Sequence, residues 1–256
     1  MNTIKVTIRN KTAIISLDCG KSNAINAEMV RELSQIVASI EQDDAILGVI
    51  IGGKEGYFSA GLDLIELYDY DEHEIRDFWV NFLELVSALS SFKKPLIAAV
   101  TGHAPAGGCL LSICCDYRIM AEGKYIIGLN EVPVGLIIPE SIFALYSFWL
   151  GKANAYRYLL EGKLMSPETA LKVGLVDEVV HIGSILTAAE RQMHKYIQLD
   201  ANIWQQSKLN MRRELLNKLS MNQSQTIEKL LLQWWSPSSR ALIKTIIQNL
   251  GAAKAS

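Results

Sequence analysis

The hydrophobic and polar positions divide the chain into a first part that predicts strands alternating with helices and a second part that predicts helices. The segment TIKVTIRNKTAIISL alternates between apolar and polar side chains, which predicts two paired strands with a turn at Asn10-Lys11. Two continuous apolar runs, AILGVIIGG and KPLIAAVTG, predict buried strands that end in glycine-containing loops. DYRIMAE and KYIIGLNE add two further strand predictions.

Helical patterns separate these strands. In NAEMVRELSQIVASIEQ, Met29, Leu33, Ile36 and Val37 lie on one face at three- and four-residue spacing, and Asn26 occupies the position of an N-cap. EIRDFWVNFLELVSALSSF predicts a second helix. Apolar strands that alternate with helices are typical of a parallel sheet covered by helices, so the predicted fold class is α/β.

After about residue 139 the pattern predicts helices only. Ser166 before Pro167 predicts a helix start, and Gly162 and Gly174 predict helix ends. We therefore predict a core domain over residues 1–195 and a C-terminal helical region over residues 196–256. No apolar run approaches the roughly 20 residues that a membrane span needs, and the first residues carry no pattern of a targeting presequence.

Trp234 and Trp235 stand side by side in the last apolar segment, EKLLLQWWSPSSRALIKTIIQNL. Adjacent side chains on a helix point in different directions. The segment therefore covers either the core of its own subunit or a neighbouring subunit, and we favour a subunit interface.

Composition narrows the classes of function. The formal net charge is −2, half of the residues are hydrophobic and a fifth are charged, which is ordinary for a soluble globular protein. Such a chain has no field that attracts nucleic acid or an anionic membrane, so we expect neither as a partner. The four cysteines lack zinc-ligand spacing, and the vicinal pair Cys114-Cys115 is a poor disulfide candidate. We expect no metal and a reducing compartment.

Two glycine-containing turns are the first candidates for chemistry. HAPAGGCLL places Gly107 and Gly108 between a strand and a helix without any charged side chain, and FSAGLDL places Gly61 after another strand. The start of a helix presents unpaired N–H groups, and glycine lets a ligand oxygen approach the backbone. Two such turns at one end of a sheet can offer two N–H donors to one developing oxyanion.

These turns belong to a longer resemblance that covers roughly residues 5–180. The blocks SNAINAEMVREL, YFSAGLDL, KPLIAAVTGHAPAGGCLLSICCDYRIMAE, IIGLNEVPVGLIIP and GKLMSPETALKVGLVDEVV resemble, in order and spacing, the signature blocks of the crotonase (enoyl-CoA hydratase/isomerase) superfamily. The resemblance implies a spiral of ββα units with a C-terminal helical trimerisation region. It also implies an acyl-CoA thioester as substrate, no further cofactor, and a homotrimer or a dimer of trimers.

The resemblance also implies where the thioester binds. The backbone N–H groups of Leu62 and Gly107 form the oxyanion hole. The turn from Ser59 to Leu64 faces the CoA part, with the Ala60 backbone near the adenine. The residues placed against the substrate lie in the two glycine turns or beside Glu131: Ser59, Ala60, Gly61, Asp63, Leu64, Gly108, Leu110 and Asn130.

Acid–base chemistry depends on two positions. Hydratases of the superfamily use two glutamates; at the first position this chain has Leu110, and at the second it has Glu131. One carboxylate beside an oxyanion hole suits proton transfer between two carbons, so the chain resembles the mitochondrial-type Δ3,Δ2-enoyl-CoA isomerase branch most. In that branch Glu131 would move a proton from C2 to C4. An apolar pocket, with Leu110, Ile126, Ile127, Val132 and Val134 as candidate walls, would raise its pKa.

Several alternatives stay open at this point. From spacing alone, Glu131 would be a solvent-exposed glutamate at a strand end. Asp63 also fits a helix N-cap, and Asn130 either positions the substrate or Glu131 or only permits a turn. Candidate residues for the floor of the acyl pocket are Phe78, Trp79, Phe82, Phe143 and Trp149.

Rival functions are hydration by Glu131 alone, thioester hydrolysis, and a non-catalytic scaffold that binds acyl-CoA or RNA. We expect a cytoplasmic protein if the source is bacterial, and a matrix protein only if a mitochondrial presequence has been removed.

Overall fold

The protein, described here by a computed structural model over residues 1–221 and 223–255, is built around two sheets. The larger sheet contains, in spatial order, β1 (Ile4–Arg9), β2 (Thr12–Leu17), β3 (Gly48–Gly52), β5 (Leu96–Val100), β7 (Tyr117–Ala121) and β9 (Glu178–Val180). The smaller sheet contains β4 (Gly56–Tyr57), β6 (Gly102–Pro105) and β8 (Ile127–Gly128).

The strand directions follow from the connections. β1 and β2 are antiparallel and joined by Asn10-Lys11, whose φ angles of 46° and 62° form the tight turn expected from the sequence. The other neighbouring strands are parallel. β4, β6 and β8 each follow a strand of the larger sheet, so a strand–strand unit repeats along the chain. This repeat confirms the predicted α/β spiral of ββα units.

Helices cover both faces of the larger sheet. The helices of the core are α1 (Ala27–Gln42), α2 (Leu64–Tyr68), α3 (Glu72–Ser91), α4 (Gly107–Ile113), α5 (Glu140–Leu150), α6 (Lys152–Glu161), α7 (Pro167–Val173) and α8 (Ile185–Ile197). The C-terminal helices are α9 (Ala201–Ser220), α10 (Gln223–Trp234) and α11 (Pro237–Ala255), and two short 3-10 turns span Val132–Val134 and Ile182–Ser184. None of the helices in the described part of the chain combines the length and apolarity that a membrane span needs.

The local helix signals act as predicted. The Asn26 side chain accepts a hydrogen bond from the Met29 N–H at the start of α1, and Ser166 does the same for Thr169 at the start of α7. Gly162 ends α6 in the left-handed conformation, with φ at 58°. These contacts satisfy backbone groups that a helix end leaves unpaired, so a few neighbouring residues suffice to set the boundary.

One prediction from the hydrophobic pattern of the second half was wrong. β9 is a strand where the hydrophobic pattern predicted only helices, because its three residues are too few for a readable pattern. The family resemblance did imply a strand here, since its last block, GKLMSPETALKVGLVDEVV, has a helix–turn–strand arrangement. Pairing with β7 at Ile119–Glu178 supplies the hydrogen bonds of β9. The division into a core domain over residues 1–195 and a helical region over residues 196–256 stays a prediction; residues 195 and 196 both lie in α8, and α9 is the next helix.

The tryptophan pair also differs from expectation. Trp234 is 0% exposed and packs edge-on against Trp79 of its own chain, with the ring centroids 6.3 Å apart. The favoured subunit interface is therefore wrong for Trp234, because intramolecular packing already buries it. Trp235 is 39% exposed, and for that side chain an interface stays a prediction.

Candidate active site

Two adjoining cavities lie between the ends of the strands and the C-terminal helices. The wide cavity has a volume of about 540 Å³ and runs between the loop of residues 19–22, the turn of residues 60–65, and Ile246 and Leu250 of α11. The narrow chamber has a volume of about 30 Å³. Both cavities are bordered by Leu62, Glu131 and Leu136, so these residues mark their junction.

The first glycine turn is held by hydrogen bonds to the loop before α1. The Ser59 hydroxyl donates to the Asn23 carbonyl at 2.7 Å and accepts from the Gly61 N–H at 3.2 Å. The Ile25 N–H donates to the Gly61 carbonyl at 2.8 Å. Gly61 itself has φ at 90°, a conformation that glycine adopts without strain. These contacts fix the direction of the next peptide, which carries the Leu62 N–H.

The second turn stores backbone strain at Ala106. This residue has φ at 48° and ψ at −121°, which costs a non-glycine residue roughly 1–3 kcal/mol. Its N–H donates to the Gly128 carbonyl of β8 at 2.8 Å, and the next residue, Gly107, begins α4. The strained peptide therefore sets the orientation of the Gly107 N–H at the start of the helix.

The two turns pack backbone against backbone. A Cβ on Gly61 would lie 3.1 Å from the Ala106 Cβ and 3.2 Å from the Pro105 carbonyl oxygen, and a Cβ on Gly108 would overlap the Ser59 carbonyl oxygen. Glycine is needed at both positions because a side chain would push the turns apart. Neither the Leu62 N–H nor the Gly107 N–H donates a hydrogen bond to an acceptor among the described residues, so both donors are free for a ligand at the narrow chamber.

Glu131 also borders the narrow chamber. Its carbonyl accepts hydrogen bonds from the N–H groups of Val134 and Leu136 at 3.1 and 3.0 Å, which fold residues 131–136 into a compact turn. The residue keeps partial exposure at the cavities, whereas its Oε2 atom is buried and has no hydrogen-bond partner among the described residues. Burial raises the pKa of this carboxyl from 4.5 to about 7. Such a group can both accept and donate a proton near neutral pH.

The walls around Glu131 are apolar on the side of the narrow chamber. Leu110, Leu136 and Ile142 are 1%, 7% and 5% exposed, and all three border it. Desolvation of the carboxylate by these side chains is the physical cause of its raised pKa. Among the described residues, Glu131 is the one carboxylate that borders this chamber.

Known proteins resemble the chain over most of its length. The profile of the enoyl-CoA hydratase/isomerase family matches residues 7–239. The chain belongs to this family.

The relatives within the family carry two different reactions in their names. The mitochondrial enoyl-CoA delta isomerase 1 of Mus musculus is 38% identical over 81% of this chain and 72% of its own length. A short-chain-enoyl-CoA hydratase of Clostridium acetobutylicum is 29% identical over 77% of this chain and 76% of its own length. The crystal structure of human mitochondrial delta3-delta2-enoyl-CoA isomerase superposes with a TM-score of 0.95 at 28% identity, covering 98% of this chain and 99% of that one.

The residues that the family resemblance selected lie at different depths around the site. Ala60, Leu62, Asp63, Leu64, Asn130 and Glu131 border the wide cavity, and Leu62, Gly107, Leu110 and Glu131 border the narrow chamber. Ser59 is 0% exposed and borders neither, because its hydroxyl is used inside the turn. Gly61 and Gly108 likewise lie behind the surface of the cavities, so their place is to let the turns meet.

Two residues predicted to contact the substrate, Asp63 and Asn130, differ in their hydrogen bonding within the protein. The Asp63 carboxylate accepts hydrogen bonds from the Ile65 and Glu66 N–H groups, both at 3.2 Å, and therefore caps α2 as the alternative interpretation held. The Oδ1 atom of Asn130 is buried and has no partner among the described residues. Contact of either residue with a substrate stays a prediction.

The walls of the site differ in part from expectation. Trp79 and Phe82 border the narrow chamber, whereas Phe78 packs behind them. Trp149 does not border either cavity; its indole donates to the Ile113 carbonyl, and the Arg118 guanidinium stacks on its ring.

Of the side chains predicted around Glu131, Ile126 and Val132 instead face outward at 36% and 39% exposure. Phe143 is partly buried against the core, outside both cavities.

The sequence interpretation missed the contribution of the C-terminal helices. Leu230 of α10 borders the narrow chamber, and Ile246 and Leu250 of α11 border the wide cavity. Apolar side chains on a helix give no signal of what they cover, and these lie far along the chain from the glycine turns. Tertiary packing alone brings them to the site.

Proposed function

We propose that the protein is a Δ3,Δ2-enoyl-CoA isomerase, which converts 3-enoyl-CoA to trans-2-enoyl-CoA in the β-oxidation of unsaturated fatty acids. The observation that carries the proposal is the carboxylate of Glu131, the one carboxylate among the described residues that borders the narrow chamber, together with Leu62 and Gly107, which border the same chamber and whose N–H groups have no acceptor among the described residues. The mitochondrial isomerase relative supports the same reaction.

The proposed mechanism moves one proton and needs no redox step. Ionised Glu131 removes a proton from C2, and the electrons of that C–H bond pass into a dienolate. The Leu62 and Gly107 N–H groups hold the dienolate oxygen, and each such donor contributes roughly 2.7–4 kcal/mol in the transition state. Glu131 then returns the proton to C4 while the double bond forms between C2 and C3. The thioester supplies the acidity of C2, so we propose no metal and no further cofactor.

Hydration is the second candidate because a hydratase relative matches a similar share of the chain. Adding water needs a group that activates the water as well as one that protonates C2. The position of the other hydratase glutamate is filled here by Leu110, which cannot activate water and is 1% exposed. We therefore propose at most slow hydration. A scaffold that binds acyl-CoA or RNA without catalysis is a weaker candidate, because it leaves the buried Glu131 without a role. Thioester hydrolysis is also a weaker candidate, because the relatives reported above carry isomerisation and hydration in their names.

The test of the proposal is a product analysis of the wild-type protein in deuterated water. We expect a 3-enoyl-CoA to be converted to the 2-enoyl-CoA, and a 2-enoyl-CoA to gain almost no water, as followed by absorbance and mass. Dominant hydration would favour the second candidate. Binding of CoA esters without any turnover would favour the scaffold.

We also propose that the protein acts as a homotrimer or a dimer of trimers. Large apolar side chains stand exposed on α5, α6 and α9, where a partner subunit would bury them: Phe148, Tyr156, Leu160, Ile203 and Met211. A cytoplasmic location is proposed for a bacterial source, and the mitochondrial matrix for a source with a removed presequence.

Ser239 of α11 supports the turn that carries Glu131. Its hydroxyl donates to the Gly135 carbonyl at 2.7 Å and accepts from the Gln233 side chain at 2.6 Å, and the residue is 1% exposed. We expect Ser239→Ala to lower kcat by about 10-fold with little change in KM, because a displaced base reacts more slowly even when the substrate still binds. Steady-state kinetics with a 3-enoyl-CoA measures both constants.

The matched control for this prediction is Ser238→Ala. Ser238 is exposed and its hydroxyl contacts only the Ser236 hydroxyl among the described residues, at 3.3 Å. We expect it to keep wild-type kinetics. Equal kcat values for the Ser239 and Ser238 variants would contradict the supporting role of Ser239.

A further inference from the structure

The narrow chamber ends at a wall of tightly packed side chains. Trp79 and Phe82 of α3 and Leu230 of α10 border it, at 5%, 2% and 3% exposure. Its volume of about 30 Å³ contrasts with about 540 Å³ in the wide cavity that leads to it. A single water molecule needs roughly 10–15 Å³ of such space. The chamber therefore has room for only a few atoms beyond Glu131.

The aromatic part of this wall is held in place from behind. The Trp79 ring meets Trp234 and Phe82 edge-on, with centroid distances of 6.3 Å in both cases. Phe78 lies edge-on to Trp79 at 5.6 Å and stacks on Phe82 at 5.7 Å. Protein interiors are close-packed, so these rings restrict the movement of Trp79 away from the chamber. The interlocked rings of Phe78, Trp79, Phe82 and Trp234 join α3 to α10.

The position of the chamber decides which part of a substrate enters it. In the proposed reaction C2, C3 and C4 lie between Glu131 and the N–H groups of Leu62 and Gly107, while the CoA part occupies the wide cavity. Carbons beyond C4 therefore point into the narrow chamber. Each added methylene has to displace atoms of the wall, and overpacking of a dense interior is unfavourable.

We infer that the site selects short-chain 3-enoyl-CoA esters, and that Trp79 and Leu230 are the residues that limit the length of the acyl chain. This inference rests on the proposed function and specifies its substrate class. Trp79 supplies the fixed aromatic part of the wall, and Leu230 supplies the part contributed by the C-terminal region.

The test compares kcat/KM for 3-hexenoyl-CoA and 3-dodecenoyl-CoA. For the wild type we expect a preference of at least about 10-fold for the shorter ester, the size of effect that one or a few methylenes produce in an apolar pocket. Trp79→Leu and Leu230→Ala should each lower this preference by raising turnover of the longer ester. Phe78→Leu is the matched control, because Phe78 is 2% exposed and belongs to the same aromatic cluster but borders neither cavity. It should leave the preference unchanged.

The outcomes separate the inference from the function on which it rests. Equal use of both esters by the wild type overturns the inference, as does an unchanged preference in the folded variants. Thermal unfolding identifies the folded ones, and Leu230→Ala, the smaller change, keeps the test valid if Trp79→Leu does not fold. Absence of isomerisation with either ester would instead overturn the proposed function.

Discussion

Replacing Glu131 with glutamine is expected to lower kcat for isomerisation by roughly 10²–10⁴-fold, the usual contribution of a positioned acid–base group. The amide keeps the size of the side chain but can neither remove the C2 proton nor return it to C4. The loss should be large because Glu131 is the one carboxylate that borders the narrow chamber among the described residues. Incorporation of deuterium from solvent should fall with kcat, as measured by mass spectrometry of the product.

The pH dependence of kcat/KM in the wild type is a second test of Glu131 as the base. The base must be ionised in the free enzyme, and burial raises its pKa to about 7. We therefore expect kcat/KM to rise with pH through about 7 and then to level off. The residual activity of Glu131→Gln should lack this rise. A variant that keeps the wild-type profile would show that another group is the base.

The thermal stability of Glu131→Gln is the control for its expected loss of activity. The folded-state pKa of Glu131 is raised, so the carboxyl favours the native state at low pH, and this contribution is lost as pH rises through about 7. Above that pH the wild type buries an unpaired charge, and each pKa unit corresponds to about 1.4 kcal/mol. Glu131→Gln removes this cost. We expect the variant to unfold at the same or a higher temperature than the wild type in alkaline buffer, so its loss of activity does not arise from unfolding.

Asp116→Ala is expected to lower the free energy of unfolding by about 3–5 kcal/mol, because it leaves two buried cations without their partner. Lys208 Nζ lies 2.7 Å from one Asp116 oxygen, and an Arg212 nitrogen lies 3.1 Å from the other. The Lys208 and Arg212 side chains are each 5% exposed and Asp116 is 9% exposed. Burial already lowers the pKa of Lys208. Urea unfolding followed by circular dichroism measures the change.

The ion pairs of Asp116 also bear on the active site, because they hold α9 against the core. Arg212 also donates to the Ser90 and Cys114 carbonyls, both at 3.0 Å, so α9 is anchored to the core at several points. α10 and α11, which cover the two cavities, follow α9 directly.

Asp77→Ala is the control for Asp116→Ala, since Asp77 is 57% exposed and pairs only with the exposed His73 among the described residues. If both variants unfold at the same urea concentration, the buried ion network does not stabilise the fold.

The parts of the site that the sequence predicted are those with short-range signals. Gly61 and Gly108 indicate tight backbone turns because only glycine fits where the two turns pack together. Glu131 follows a strand at the place where the family resemblance expects a carboxylate. What the sequence could not give is the burial of its Oε2 atom, because that depends on side chains of α4 and α5 as well as on its own turn.

Local signals suffice to predict the hairpin at Asn10-Lys11, the caps at Asn26 and Ser166, the glycine turns and the α/β class, because each depends on hydrogen bonds, sterics or hydrophobic spacing within a short segment. Long-range contacts are visible in the folded protein alone: Trp234 packs inside its own subunit, β9 pairs with β7, and α10 and α11 border the two cavities. An apolar side chain favours burial without specifying its partner. The partner is chosen by the packing of distant segments, which no local pattern encodes.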